Sequence, residues 1–99
     1  MGKLSRDKGA AFEREVVNAF HAAGIHAERR APLQANGAMC EGDIVARGIG
    51  MIECKRRKNG FSLIYDAMQG NDAVVIRSDR KPALIVFELS DFLAREGRQ

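Results

Sequence analysis

Little in this chain of 99 residues is suited to cross-linking or to a soft metal. Two cysteines, Cys40 and Cys54, are too few for a disulfide scaffold, and there is no Cys-x-x-Cys pair. The only histidines, His21 and His26, stand five apart, where a helix does not bring them together at the i, i+4 spacing of paired ligands. A zinc site made from these four residues is therefore not expected. The opening MGKLSRDKGA lacks the apolar run of a signal peptide, and no stretch approaches the length of a membrane span. Internal repeats and low-complexity segments are absent too. These absences point to a reduced, cytoplasmic protein.

What is present is charge and a modest apolar content. Sixteen Lys and Arg against thirteen Asp and Glu leave a formal charge of +3 and an isoelectric point near 9.2, values that suit a nucleic-acid partner without demanding one. The length fits a single domain, residues 1–99, whose stability would gain from oligomerisation because so small a core buries a modest share of its surface.

Residues 9–24 carry Phe12, Val16, Ala19, Phe20 and Ala23 at helical spacing, with Ser5 as an expected N-cap and Gly24 as the stop. A short strand is expected over 25–30, then a turn-rich loop APLQANGAMCEG, in which Gln34, Asn36 and Gly37 either touch DNA or only link strands. Two β-prone runs, 43–47 and 51–55, flank Gly48-Ile49-Gly50 and predict a hairpin. Asn59-Gly60 reads as a turn, and residues 61–69 as a helix with Leu63 and Ala67 on one side, joined by Ile64 and Met68. The continuous apolar runs 73–76 and 83–87 predict two buried strands. Ser90 is an expected N-cap for a last helix containing Phe92 and Leu93. The order α-β-β-β-α-β-β-α implies an α/β domain.

Within the predicted hairpin, strand alternation sends Glu53 and Lys55 to one face and Ile52 and Cys54 to the other. With the turn centred on residue 49, Lys55 is expected opposite Asp43 and Glu53 diagonal to it. Two carboxylates converging on one spot repel unless a cation lies between them, and a hard divalent ion such as Mg²⁺, with Mn²⁺ as a substitute, resolves this. A neighbouring lysine then has a role in orienting or deprotonating a water and offsetting charge on a phosphate. On the first helix, at about 100° per residue, Glu13 falls inside the apolar arc and Glu15 outside it, so Glu13 is the preferred third acid.

Gly42-Asp43-Ile44-Val45 followed by Ile52-Glu53-Cys54-Lys55 resembles the PD-(D/E)XK nuclease motif, with glycine in the place of the motif's proline. Arg6-x-Lys8-Gly9-x-x-Phe12-Glu13-Arg14-Glu15 is similar to the opening of archaeal-type Holliday junction resolvases. The resemblance covers residues 6–58; the remainder is shorter than is usual in that family. It implies a restriction-endonuclease-like core with a central mixed β-sheet flanked by helices. It also implies Mg²⁺ held by Asp43, Glu53, the backbone carbonyl of Cys54 and Glu13. Lys55 would assist the nucleophilic water, and the product would carry a 5′-phosphate. A four-way junction has approximate two-fold symmetry, so a homodimer is the expected assembly, with the apolar stretches of 61–93 as a source of the interface.

Lys55, Arg56, Arg57 and Lys58 form the densest basic run, placed to hold a phosphate backbone against the acids. Lys3, Arg6 and Lys8 are expected on a mobile arm contacting DNA, and Arg29 and Arg30 beside the cleft. The plainer account is a solvated sheet face whose ion pairs contribute roughly 0–1 kcal/mol each. Cys54 reads as a small core residue rather than a nucleophile, and Tyr65 and Gln69 share one helix face. Two rivals keep the same residues: a phage- or plasmid-type nickase or restriction-like nuclease on ordinary duplex, and a non-catalytic DNA-binding subunit.

Overall fold

The computed structural model describes residues 2–30 and 43–97. The expected loop, with Gln34, Asn36, Gly37 and Cys40, lies outside these residues. The fold class is α/β: three helices and two small antiparallel sheets, in the order α-β-β-β-α-β-β-α. Two compact units divide the chain between Arg56 and Arg57.

In the first unit, helix α1 spans Gly2–Ala22 and so begins well before the residue 9 expected. Ser5 lies inside it rather than at its start. The physical reason is that residues 3–8 contain no proline and no β-branched residue, and Lys, Leu and Arg are good helix formers. Lys3, Arg6 and Lys8 are thus on helical backbone rather than on a mobile arm. The stop falls where glycine predicts it. Gly24 takes φ 83, its amide donates to the His21 carbonyl (2.9 Å), and the Ile25 amide donates to that of Phe20 (2.9 Å), the paired bonds of a Schellman motif.

Strand β1 (Ala27–Arg29), β2 (Ile44–Ala46) and β3 (Gly50–Ile52) form an antiparallel sheet in that order. Its register sets Ala27 against Ala46 and Arg29 against Ile44, then Ile44 against Ile52 and Ala46 against Gly50. One face therefore carries Ala27, Ile44, Ala46 and Ile52; the other carries Glu28, Val45 and Met51. The first face packs on α1, where Val16, Phe20, Ala27, Ile44 and Ala46 are buried.

The second unit holds helix α2 (Ser62–Met68), the antiparallel pair β4 (Val74–Ile76) and β5 (Leu84–Val86), and helix α3 (Leu89–Glu96). Of the apolar residues read onto one side of α2, Ile64 and Met68 are half-covered, as is Phe61 before the helix, whereas Ala67 is exposed and Leu63 is 79% exposed. Glu88, not Ser90, occupies the N-cap of α3, without a side-chain bond. Nor are β4 and β5 the buried strands their apolar runs predict, since Val75, Leu84 and Ile85 are each at least 58% exposed. Two strands alone offer no second layer over both faces. A central mixed sheet is likewise not what forms among the described residues. Within each sheet the neighbouring strands are antiparallel, β1-β2-β3 in one and β4-β5 in the other.

Candidate functional site

The candidate acids lie beside the β2–β3 hairpin and on α1. Gly48 takes φ 81 at the third place of the turn closed by the Ile49 amide and the Ala46 carbonyl (3.1 Å). A type II turn reserves that place for glycine. The ladder is consequently centred on residue 48 rather than 49, and Ile44 faces Ile52. The expectation that Lys55 stands opposite Asp43 is thereby overturned: Asp43 comes level with Ile52 and Glu53.

Asp43 is bonded on three sides. Its amide donates to the Ile52 carbonyl (2.8 Å), its carbonyl accepts from the Arg30 amide (2.9 Å), and its Oδ2 accepts from the Cys54 amide (2.8 Å). Because Ile44 is also paired with Ile52, Asp43 and Ile44 together oppose one residue. That is the two-against-one arrangement of a β-bulge, a device that re-aims a side chain at the end of a ladder. Here it delivers the carboxylate to the segment that follows β3.

In that segment Glu53 and Lys55 are exposed and Cys54 is half-buried, so the expected alternation persists past the last strand residue. Lys55 Nζ lies 3.5 Å from Glu53 Oε2, and both side chains are more than half exposed, so the pair contributes little to stability. Glu13 is half-buried on α1, as its place in the apolar arc predicts, whereas Glu15 is exposed. Its partner is Arg29, whose Nε donates to Oε1 at 3.1 Å. Sequence reasoning did not find this pair, although the signal was present: Arg29 shares strand parity with Ala27 and so points to the α1 side.

The Cys54 thiol is pushed up from 9.0 to about 11, first by burial and then by the negative charges of Asp43, Glu13 and Glu53. Three carboxylates from three segments thus bear on one sulfur. The surroundings of Cys54 are acidic as well as apolar, and a thiol so hard to ionise is a poor nucleophile. Among the described residues, no three His, Cys, Asp or Glu side chains stand close enough together to hold a metal ion. The donors are oxygens of the kind Mg²⁺ takes. One hydrogen bond also leaves most of a carboxylate's roughly four lone-pair sites for another partner.

The basic residues divide between the units. Arg56 follows Lys55 at the end of the first unit, and Arg57 and Lys58 open the second; all are exposed. Arg30 points away from α1, its Nη1 donating to Met51 Sδ at 3.1 Å. Arg29 and Arg30, adjacent in sequence, are therefore on opposite faces. His21 and His26 are nearer than helical spacing implies, with ring centroids 6.3 Å apart, because His26 lies beyond the helix stop. Each has its own partner: His21 Nε2 bonds the Ala27 carbonyl (2.8 Å) and His26 Nε2 bonds Glu28 (3.1 Å). Tyr65 and Gln69 are exposed.

No protein-family model, curated protein or solved structure matches this chain. Among the described residues no helix is long and apolar enough to cross a membrane.

Proposed function

We propose that this chain is a metal-dependent DNA endonuclease of the PD-(D/E)XK kind, acting on branched DNA as a Holliday junction resolvase does. The observation that supports the reading is that the Asp43 carboxylate accepts from the Cys54 amide (2.8 Å), between Glu53 and Lys55, whose side chains meet at 3.5 Å. A helix against a three-stranded antiparallel sheet, with the acids at one end of its second hairpin, is compatible with the start of a restriction-endonuclease-like core.

In this reading Asp43, Glu53 and the Cys54 carbonyl would hold Mg²⁺, or Mn²⁺ in its place, and Glu13 would hold the ion or its waters. Bound there, the cation supplies a nucleophilic hydroxide near neutral pH and charge stabilisation on the phosphate. The chain's own residues do the rest. Asp43 is fixed by its three backbone partners, Lys55 orients the attacking water and offsets charge growing on the phosphate, and Arg56 and Arg30 hold the backbone beside acids that would otherwise repel it. Hydrolysis leaves a 5′-phosphate. Two coordinated cuts in a two-fold junction require two such sites, hence a homodimer.

A second reading, a DNA-binding subunit without turnover, has one observation in its favour. Each acid already has a protein partner (Arg29, the Cys54 amide, Lys55), and no three-donor group is assembled among the described residues. The test is cleavage of a labelled four-way junction beside matched linear duplex, in Mg²⁺ or EDTA, by the wild type and Glu53→Ala. Paired symmetric nicks in the junction alone, lost in EDTA and reduced at least about 100-fold in the variant, are expected. Equal cutting of both substrates would leave a nickase or restriction-like enzyme, and tight binding with no cutting would leave the subunit.

A further inference from the structure

Arg29 and Arg30 both look like phosphate-binding residues in the sequence, yet the strand separates them. Arg29 is paired with Ile44, the most deeply buried residue of the sheet, and lies on the face that packs on α1. Arg30 turns to the other face, beside Met51. Across the helix–sheet layer Arg29 Nε meets Glu13 Oε1 at 3.1 Å, and the Glu13 side chain is only 20% exposed. A carboxylate so covered needs a cation or a set of donors to offset its lost hydration.

We propose that Arg29 is a positioning residue that holds the Glu13 carboxylate, and does not hold a DNA phosphate. The inference rests on the nuclease reading for its catalytic consequence. The bond engages one oxygen of Glu13 and fixes the side chain's direction, leaving lone pairs of the second oxygen for a further ligand. The partners of acids that act at a metal typically contribute about 10- to 100-fold in affinity or activity. A residue that neutralises a phosphate behaves differently. Removing it weakens DNA binding and lowers the slope of log K against log salt by about one.

The experiment compares the wild type with Arg29→Ala, Arg29→Lys, Arg30→Ala, Glu13→Gln and the Arg29→Ala/Glu13→Gln double variant. In EDTA, the salt slope of four-way junction binding is expected to be unchanged in Arg29→Ala and reduced by about one in Arg30→Ala. Thermal unfolding in EDTA should show the Tm losses of Arg29→Ala and Glu13→Gln failing to add in the double variant. In Mg²⁺, Arg29→Ala should lower kcat roughly 10- to 100-fold with KM changed less than about threefold. Arg29→Lys should recover part of that loss, and Arg29→Ala should cost nothing further once Glu13 is Gln. A salt slope reduced by one in Arg29→Ala, or additive Tm losses, would overturn the proposal. Absence of cleavage by the wild type would defeat the nuclease reading alone, because both EDTA measurements still report which group Arg29 holds.

Discussion

The two units use apolar residues in opposite ways. In the first, β2 alternates a covered Ile44 and Ala46 with a more open Val45, and the covered residues meet Val16 and Phe20 of α1. In the second, every position of β4 and β5 is apolar, yet Val75, Leu84 and Ile85 face outwards and, among the described residues, Leu93 alone is buried. The difference lies in the opposing layer. A helix of 21 residues covers one face of a three-stranded sheet, whereas a two-stranded pair accompanied by helices of seven and eight residues has too little to cover it. Hydrophobic residues specify a strand; only a second layer makes them a core.

The contrast can be broken at its strong end first. Phe20→Ala should destabilise the chain by about 3–5 kcal/mol in urea unfolding, the usual loss for an aromatic removed from a packed layer. Ile85→Ala should cost less than about 1 kcal/mol by the same measurement, as an exposed position does. A loss at Ile85 equal to that at Phe20 would mean that this face is covered in solution. The turns sharpen the comparison. Gly48 sits at φ 81 and Arg80, in the β4–β5 connection, at φ 65. Gly48→Ala should therefore lower stability by roughly 1 kcal/mol, while Arg80→Gly, which relieves a left-handed non-glycine residue, should be neutral or slightly stabilising in thermal melts.

The smallest effect concerns Cys54. Its thiol is raised from 9.0 to about 11, so the folded chain holds this proton more tightly than the unfolded one. The stability this contributes is intact below pH 9 and is lost as the pH rises toward 11. In a Cys40→Ser background, alkylation of Cys54 should be slow at pH 8 and accelerate toward pH 11. Asp43→Asn should shift that rise to lower pH, since the Asp43 charge is the largest contribution after burial.

The order of elements was legible in the sequence because period and punctuation agree there. Gly24 stops α1, Gly48 and Gly50 make the hairpin turn, and Glu13 falls inside the apolar arc. Three features were not legible, each for a physical reason. Nothing forbids a helix at residues 2–8, so the Ser5 cap signal was overridden by good helix formers. The register depended on which residue of Gly48-Ile49-Gly50 lies at the centre, and a shift of one residue there moves the facing partner by two. The apolar runs of β4 and β5 predict burial only if a layer exists to receive them, which composition does not reveal. At the site, alternation placed Glu53 and Lys55 on one side, but the bulge at Asp43 and the Arg29–Glu13 bond arise from tertiary packing.

The bulge has a bearing on tolerance to mutation. Asp43 joins three stretches of chain: its main chain bonds to β3 and to the residue after β1, and its carboxylate secures the amide of Cys54. A substitution there removes a strut together with an acid, so a dead Asp43 variant speaks ambiguously about chemistry. Glu53, exposed and tied among the described residues to the end of a lysine side chain, carries its charge without carrying the architecture. The chain thus has one acid whose substitution the fold would scarcely tolerate and another whose loss folding would forgive.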